Sequence, residues 1–199
     1  MSLPTPYILP LADARDETLR ILGAGGVVFL PTDTLYGFSC GWSDAAARAR
    51  IQALKGQARS APFLTLAADR SMVESIAEWP TGEGARVLDV IWPGPVTAVL
   101  IARDGGTVGV RVPVLDWLRA WISALGRPIV STSANRTGAP PSASVAQAVA
   151  EFGPSVDLYV DDGPREGVAS ALLDLTDGVR LLRGEMPPGI PPGLSPGVA

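Results

Sequence analysis

The chain has 199 residues, 47% of them apolar, and a formal net charge of −4. That length supports one sizeable core and is marginal for two, the apolar content excludes a disordered chain, and the acidic balance argues against bulk nucleic-acid binding driven by phosphate neutralisation. There is no histidine, one cysteine and one lysine, Lys55, against fifteen arginines, so Ser-His-Asp and Cys-His systems, histidine metal sites and intrachain disulfides are all excluded.

The first residues lack the basic start and long apolar stretch of a secretory signal. No run approaches the ~18 apolar residues of a membrane span. A cytoplasmic protein is the expectation. GGVVFLP (25–31) predicts a buried strand that ends at Pro31, followed by a polar loop, Thr32-Asp33-Thr34. A helix is expected from an N-cap at Ser43 through Lys55, with Ala47, Ile51 and Leu54 on one face. FLTLAA (63–68) predicts a strand, 70–78 and 84–91 helices, and WPGPVTAVLIA (92–102) a rigid turn entering a strand. GVRVP (109–113) is a short strand, and Val114 to Leu125 an amphipathic helix stopped by Gly126. PIVSTSAN (128–135) is a strand running into a polar loop. A helix over 143–152 is capped by Ser142 or Ser144, and strands close the chain at 156–162, 170–175 and 179–183. Strands and helices are mixed without a strict repeat, which predicts an α/β (α+β-like) single domain over residues 1–185, built on a twisted mixed sheet. Residues 186–199 form a Pro/Gly-rich tail with five prolines.

Three clusters carry candidate chemistry. Thr32-Asp33-Thr34-Leu35-Tyr36 follows a buried strand, where ligands of α/β proteins bind, although Thr and Asp also close turns. Arg48, Arg50, Lys55 and Arg59 lie within twelve residues free of acids. That is the footprint expected for a polyphosphate or carboxylate ligand, and a solvated helix face reads the same way for Arg48 and Arg50. Lys55 offers a compact ammonium with three rotatable donors, suited to phosphate oxygens. Ser131-Thr132-Ser133-Ala134-Asn135 supplies neutral donors and acceptors at a strand end. Arg111 is a charge inside an apolar strand and needs a partner or a ligand there; Arg183 is a further cation. With no covalent nucleophile evident, such a site works by positioning and electrostatics.

Taken in order over about residues 20–185, PTDTLYG, LK-G-x-x-R-x-x-P, WPGPVT, VRVP, STSAN and LLRGE resemble the YrdC-like family, and within it the TsaC-type L-threonylcarbamoyladenylate synthases. The resemblance implies a concave basic cleft on a twisted mixed sheet. It implies a nucleotidyltransferase reaction, in which L-threonine, bicarbonate and ATP, with Mg²⁺ as the expected metal, give threonylcarbamoyl-AMP and pyrophosphate. The product would feed tRNA modification at adenosine 37 through separate transfer proteins. Carried over onto this sequence, Lys55 is catalytic, and Arg59, two residues beyond the family's arginine position, is the candidate to act with it. Lys55, Ser131, Ser133, Asn135, Arg111, Ser170 and Arg183 hold ATP, and Thr32, Thr34 and Tyr36 hold threonine or the carbamate. No protein metal ligand is implied. Two positions depart from the pattern: Gln57 stands where the family has an arginine two residues after the lysine, and Ala171 follows Ser170 where it often has threonine. They leave open a paralogue that binds nucleotide or makes another carbamoyl adenylate; an RNA-binding module is a third reading. The Pro/Gly tail is expected to fold over the cleft as a lid.

Overall fold

The computed structural model describes residues 5–56 and 63–190. Ten strands form one mixed sheet: β1 (Ile8–Pro10), β2 (Val28–Pro31), β3 (Tyr36–Gly41), β4 (Leu64–Leu66), β5 (Val96–Ile101), β6 (Thr107–Arg111), β7 (Ile129–Ser133), β8 (Leu158–Asp161), β9 (Ala171–Asp174) and β10 (Arg180–Arg183). Their spatial order is β1-β8-β2-β3-β7-β4-β6-β5-β9-β10. The helices are α1 (Arg15–Gly23), α2 (Ala45–Lys55), α3 (Arg70–Glu74), α4 (Gly82–Ile91), α5 (Asp116–Leu125) and α6 (Val145–Phe152). Gln57, Arg59 and residues 191–199 lie outside the described residues.

The strand register decides which side chains share a face. Cys40 sits opposite Val130, Val130 opposite Thr65, Thr65 opposite Val110, and Val110 opposite Ala98. That face is covered at one end by α2 and α6, through Ala47, Ile51, Ala148 and Phe152, and at the other by α4, through Val87, Leu88 and Ile91. On the opposite face, α1 and α5 bury Ile21, Leu22, Leu118 and Ile122 against Val28, Leu30, Leu66, Ile129 and Leu158. Ser131, Ser133 and Arg111 share that second face by register, beyond the apolar block that the two helices cover. A polar concavity is left where β2 and β7 finish on either side of β3, and Arg111, at the end of antiparallel β6, extends its side chain toward it.

Local signals explain most boundaries. Asp44, not Ser43, caps α2: its carboxylate accepts from the Ala47 N–H at 2.9 Å. A carboxylate there also complements the positive end of the helix dipole, which a serine hydroxyl does less well. Gly56 (φ 64°) and Gly126 (φ 72°) close α2 and α5 in the left-handed conformation. Ser144 caps α6 by accepting from the Gln147 N–H, and Gln147 returns a bond from the Ala143 N–H at 2.8 Å. Asp44→Ala is expected to cost about 1 kcal/mol in urea unfolding, the usual worth of such a cap. The expected helix at 70–78 stops at Glu74; Ala77 leaves it to bridge Ala102. Beyond β10, Met186 and Ile190 pack against the α4-side core. Packing thus continues past Glu185, and a Cβ placed on Gly189 would come within 3.2 Å of Val90 of α4.

Candidate active site

The chain leaves β2 into a tight turn. Thr32 Oγ1 donates to the Leu35 carbonyl at 2.7 Å and accepts the amides of Thr34 and Leu35, each at 3.3 Å. Thr32 is thus the keystone of the turn: its side chain is buried and used locally. The next two residues face Arg111. The Arg111 Nη2 lies 3.2 Å from Asp33 Oδ1, and Nη1 donates to Thr34 Oγ1 at 3.0 Å. Both charged side chains are only 2% exposed. Asp33 Oδ2 also accepts the Val114 N–H. Arg111 Nε has no hydrogen-bond partner, and the Asp33 Oδ1 contact is an ion pair whose angles fall short of a hydrogen bond. Burial pulls the Arg111 proton affinity down, Asp33 pushes it back up and nearby Arg183 lowers it; a guanidinium stays charged through such a contest.

The lysine stands at the C-terminal end of α2, 5% exposed. Its Nζ donates to the carbonyl of Ser133 at 2.7 Å, to Asn135 Oδ1 at 2.9 Å and to the Asn135 carbonyl at 3.2 Å. Ser133 Oγ donates to the same Asn135 Oδ1 at 2.6 Å. Asn135 is held in turn by its own amide, which donates to the carbonyls of Arg136 and Ala139. All three acceptors of the ammonium are neutral, and no carboxylate pairs with it among the described residues. Burial pulls its pKa down to about 8. The result is a desolvated positive charge, oriented but not neutralised, which an anionic ligand would balance.

The lysine titration has two opposite consequences. The folded chain releases this proton near pH 8 and the unfolded chain near 10.5. Between those values the unfolded state binds more protons, so the contribution to stability rises with pH and levels off above 10.5. Anion affinity falls over the same range because the charge is lost above about 8. Wild type minus Lys55→Met, compared by urea midpoints and by calorimetric titration with pyrophosphate from pH 7 to 10, is expected to show both trends. Parallel curves for the two proteins would refute them.

On the far wall, Ser170 Oγ shares a 2.9 Å hydrogen bond with Thr97 Oγ1, and Arg183 donates to the Ser170 carbonyl from Nε and Nη2 at 3.3 and 3.1 Å. Thr32, Thr34, Tyr36, Arg111, Ser131, Ser133, Ser170 and Arg183 all line one cavity of about 190 Å³. Gly37 forms part of its wall, and a Cβ there would come within 3.0 Å of Ser131 Oγ. Lys55 and Asn135 stand behind Ser133 and do not line the cavity themselves. The Tyr36 ring stacks on Phe29 in the core, and its hydroxyl donates to the Gly163 carbonyl and accepts the Asp162 amide. Arg59 and Gln57 fall outside the described residues.

Sequence reasoning missed the partners. Asp33 stands in a candidate cluster, but nothing local pairs it with Arg111, 78 positions away. Thr97 sits inside an ordinary strand. Arg165, whose Nη1 donates to the Thr32 carbonyl at 3.0 Å, lies in a connection with no periodic pattern. Among the described residues no group of three or more acidic, histidine or cysteine side chains converges to hold a metal. The Asp33 carboxylate is paired with Arg111. No helix among the described residues is long and apolar enough to cross a membrane.

The Sua5_yciO_yrdC family model, which carries the description telomere recombination, matches residues 20–184. A threonylcarbamoyl-AMP synthase of Nitrosococcus oceani is 36% identical over 173 residues, covering 81% of this chain and 93% of that protein. A threonylcarbamoyl-AMP synthase of Chromohalobacter salexigens is 33% identical, with 86% and 98% covered. Among solved structures, P. abyssi Sua5 complexed with L-threonine superposes with a TM-score of 0.78 at 27% identity, over 92% of this chain. The chain spans 57% of the length of that Sua5 protein.

Proposed function

The chain belongs to the Sua5/YciO/YrdC family, and from that premise we propose that its cleft joins L-threonine, bicarbonate and ATP into threonylcarbamoyl-AMP and pyrophosphate. The threonine amine and bicarbonate condense to a carbamate with loss of water. A carbamate oxygen then forms a bond to the α-phosphorus of ATP as the bond to the β-phosphate bridging oxygen breaks. No enzyme nucleophile takes part, so a chain without histidine is not handicapped. What the protein must supply is alignment of two anions and stabilisation of charge that moves onto the leaving pyrophosphate.

The observation that carries this reading is the Lys55 ammonium, buried on the Ser133–Asn135 framework without a counter-charge among the described residues. In this reading Ser131 and Ser133 meet phosphate oxygens, and Lys55 and Asn135 act on them from behind Ser133, the ammonium supplying the positive charge. Arg111, Ser170 and Arg183 close the nucleotide side, and Arg59 adds a second catalytic cation. Thr34, presented by Thr32, faces the threonine or carbamate, while Tyr36 shapes that end through its ring and by fixing the 162–163 backbone. Mg²⁺ accompanies the triphosphate. The product leaves the cleft for separate tRNA threonylcarbamoyl-transfer proteins in the cytoplasm, where direct RNA contact by this acidic chain would be confined to the basic cleft.

Pyrophosphate release from ATP and bicarbonate tests the reading: release should require L-threonine and be indifferent to the D-enantiomer. Gln57 favours one alternative, a paralogue with another carbamate acceptor, because glutamine lacks both the charge and the bidentate fork of arginine. An inactive wild type that gains threonine-dependent release on Gln57→Arg would establish that alternative and displace the first.

A further inference from the structure

The connection between β8 and β9, residues 162–170, runs directly over the turn that holds Arg111. Its Gly167 lies so close to that turn that a Cβ there would come within 1.7 Å of the Thr34 carbonyl oxygen. Its last two residues, Ala169 and Ser170, line the cavity. Its first part is fastened at several points, one of them the Tyr36 hydroxyl, which takes the Asp162 amide and reaches the Gly163 carbonyl. Arg165 supplies the rest: its amide donates to the Ala143 carbonyl at 2.8 Å, its Nη2 pairs with Asp162, and its Nη1 donates to the Thr32 carbonyl at 3.0 Å.

That last bond is the one cross-link from an arginine side chain to the backbone of the turn among the described residues. Thr32 uses its hydroxyl and amide to close the turn on Leu35, which leaves its carbonyl free to be held from outside. Arg165 Nε is buried without a partner. A tether needed only for stability would more cheaply be a shorter residue with every donor satisfied. The guanidinium instead reaches across the strap and clamps the turn at the residue before Asp33.

We propose that Arg165 is a positioning residue for the reaction: through the Thr32 carbonyl it fixes the Thr32–Leu35 turn, and with it the placement of Thr34 and Asp33 around Arg111. This rests on the reading of the cleft as a threonylcarbamoyl-AMP synthase, with the Thr34 side facing threonine. Arg165 touches no substrate in this account. Its removal should loosen one wall of the cavity while the Lys55–Ser133–Asn135 wall stays in place.

Steady-state kinetics and hydrogen exchange on wild type, Arg165→Ala, Arg165→Lys and Gly167→Ala test it. Arg165→Ala is expected to raise the KM for L-threonine about tenfold and the KM for ATP, which Arg111 serves, clearly less, with the melting temperature close to wild type. Arg165→Lys, which keeps a donor for Thr32, should recover part of the threonine KM. Gly167→Ala, which pushes the strap off Thr34 with Arg165 intact, should show the same threonine-selective loss. In the ligand-free protein, exchange of the Thr34 and Leu35 amides should speed up in Arg165→Ala. Unchanged exchange there overturns the proposal even if the wild type makes no threonylcarbamoyl-AMP, so the two readings fail separately. Equal rises in both KM values, together with a lower melting temperature and no rescue by lysine, also overturn it by reducing Arg165 to a structural tie.

Discussion

Lys55→Ala is expected to reduce threonine-dependent pyrophosphate release by at least about 10²-fold, the range seen when a single preorganised charge-stabilising donor is removed from an active site. Its ammonium is held by three neutral acceptors and, among the described residues, by no carboxylate, so the folded chain tolerates it at a cost that ligand phosphate would offset. The same geometry predicts a gain in stability. Lys55→Met keeps much of the side-chain volume and removes a desolvated charge, so the ligand-free variant should unfold at equal or higher urea concentration. Meanwhile its Nζ partners, the carbonyls of Ser133 and Asn135, lose a donor, which limits the gain. A variant that loses activity and does not lose stability separates function from folding. Undiminished pyrophosphate release by Lys55→Ala would remove the lysine from the chemistry altogether.

Arg111→Met is expected to lose activity and, unlike the lysine variant, to lose stability, by about 3–5 kcal/mol. That is the usual penalty for breaking a buried ion pair from one side, because the Asp33 carboxylate would be left buried and uncompensated. Both side chains are 2% exposed, so solvent cannot take over the role of the missing partner. Asp33→Asn/Arg111→Met should recover most of that stability, since neither charge remains, while activity stays absent because Thr34 Oγ1 has lost its donor. Urea unfolding of the single and double variants decides it. If the double variant is as unstable as Arg111→Met, the pair does not act as a unit and the penalty has another source.

Much of this was readable from residue order. α5 and its stop at Gly126 follow from an apolar period ended by a glycine, and the helical turn at 145–152 follows from Ser144 before an apolar run. The polar cluster at the end of β7 was legible because serines, a threonine and an asparagine crowd an otherwise apolar strand end. β3 was not legible. Tyr36–Gly41 is buried on both faces in mid-sheet, so it shows no alternation, and its two glycines read as loop. α1 is hard to read from sequence although Thr18, Ile21 and Leu22 share one face, because Arg15, Asp16, Glu17 and Arg20 crowd its first turns. Arg111 announced that it needed a partner, but no local pattern could say that the partner would be Asp33. Nor could composition show that Tyr36, placed in the right motif, would turn its hydroxyl toward 162–163.

The strand order also bears on how the chain is made. β2 lies between β3, its hairpin neighbour, and β8, and Val28 pairs with Leu158. The Val27 amide likewise waits for the Asp157 carboxylate, 130 positions later. At ribosomal speeds of ~5–20 residues per second, that separation is a delay of roughly ten seconds. Throughout it the wholly apolar β2 would present an open hydrogen-bonding edge. The nascent polypeptide is therefore most exposed to mispairing before its last third emerges, and trigger-type chaperones that shield apolar edges should raise its yield more than they alter its final stability.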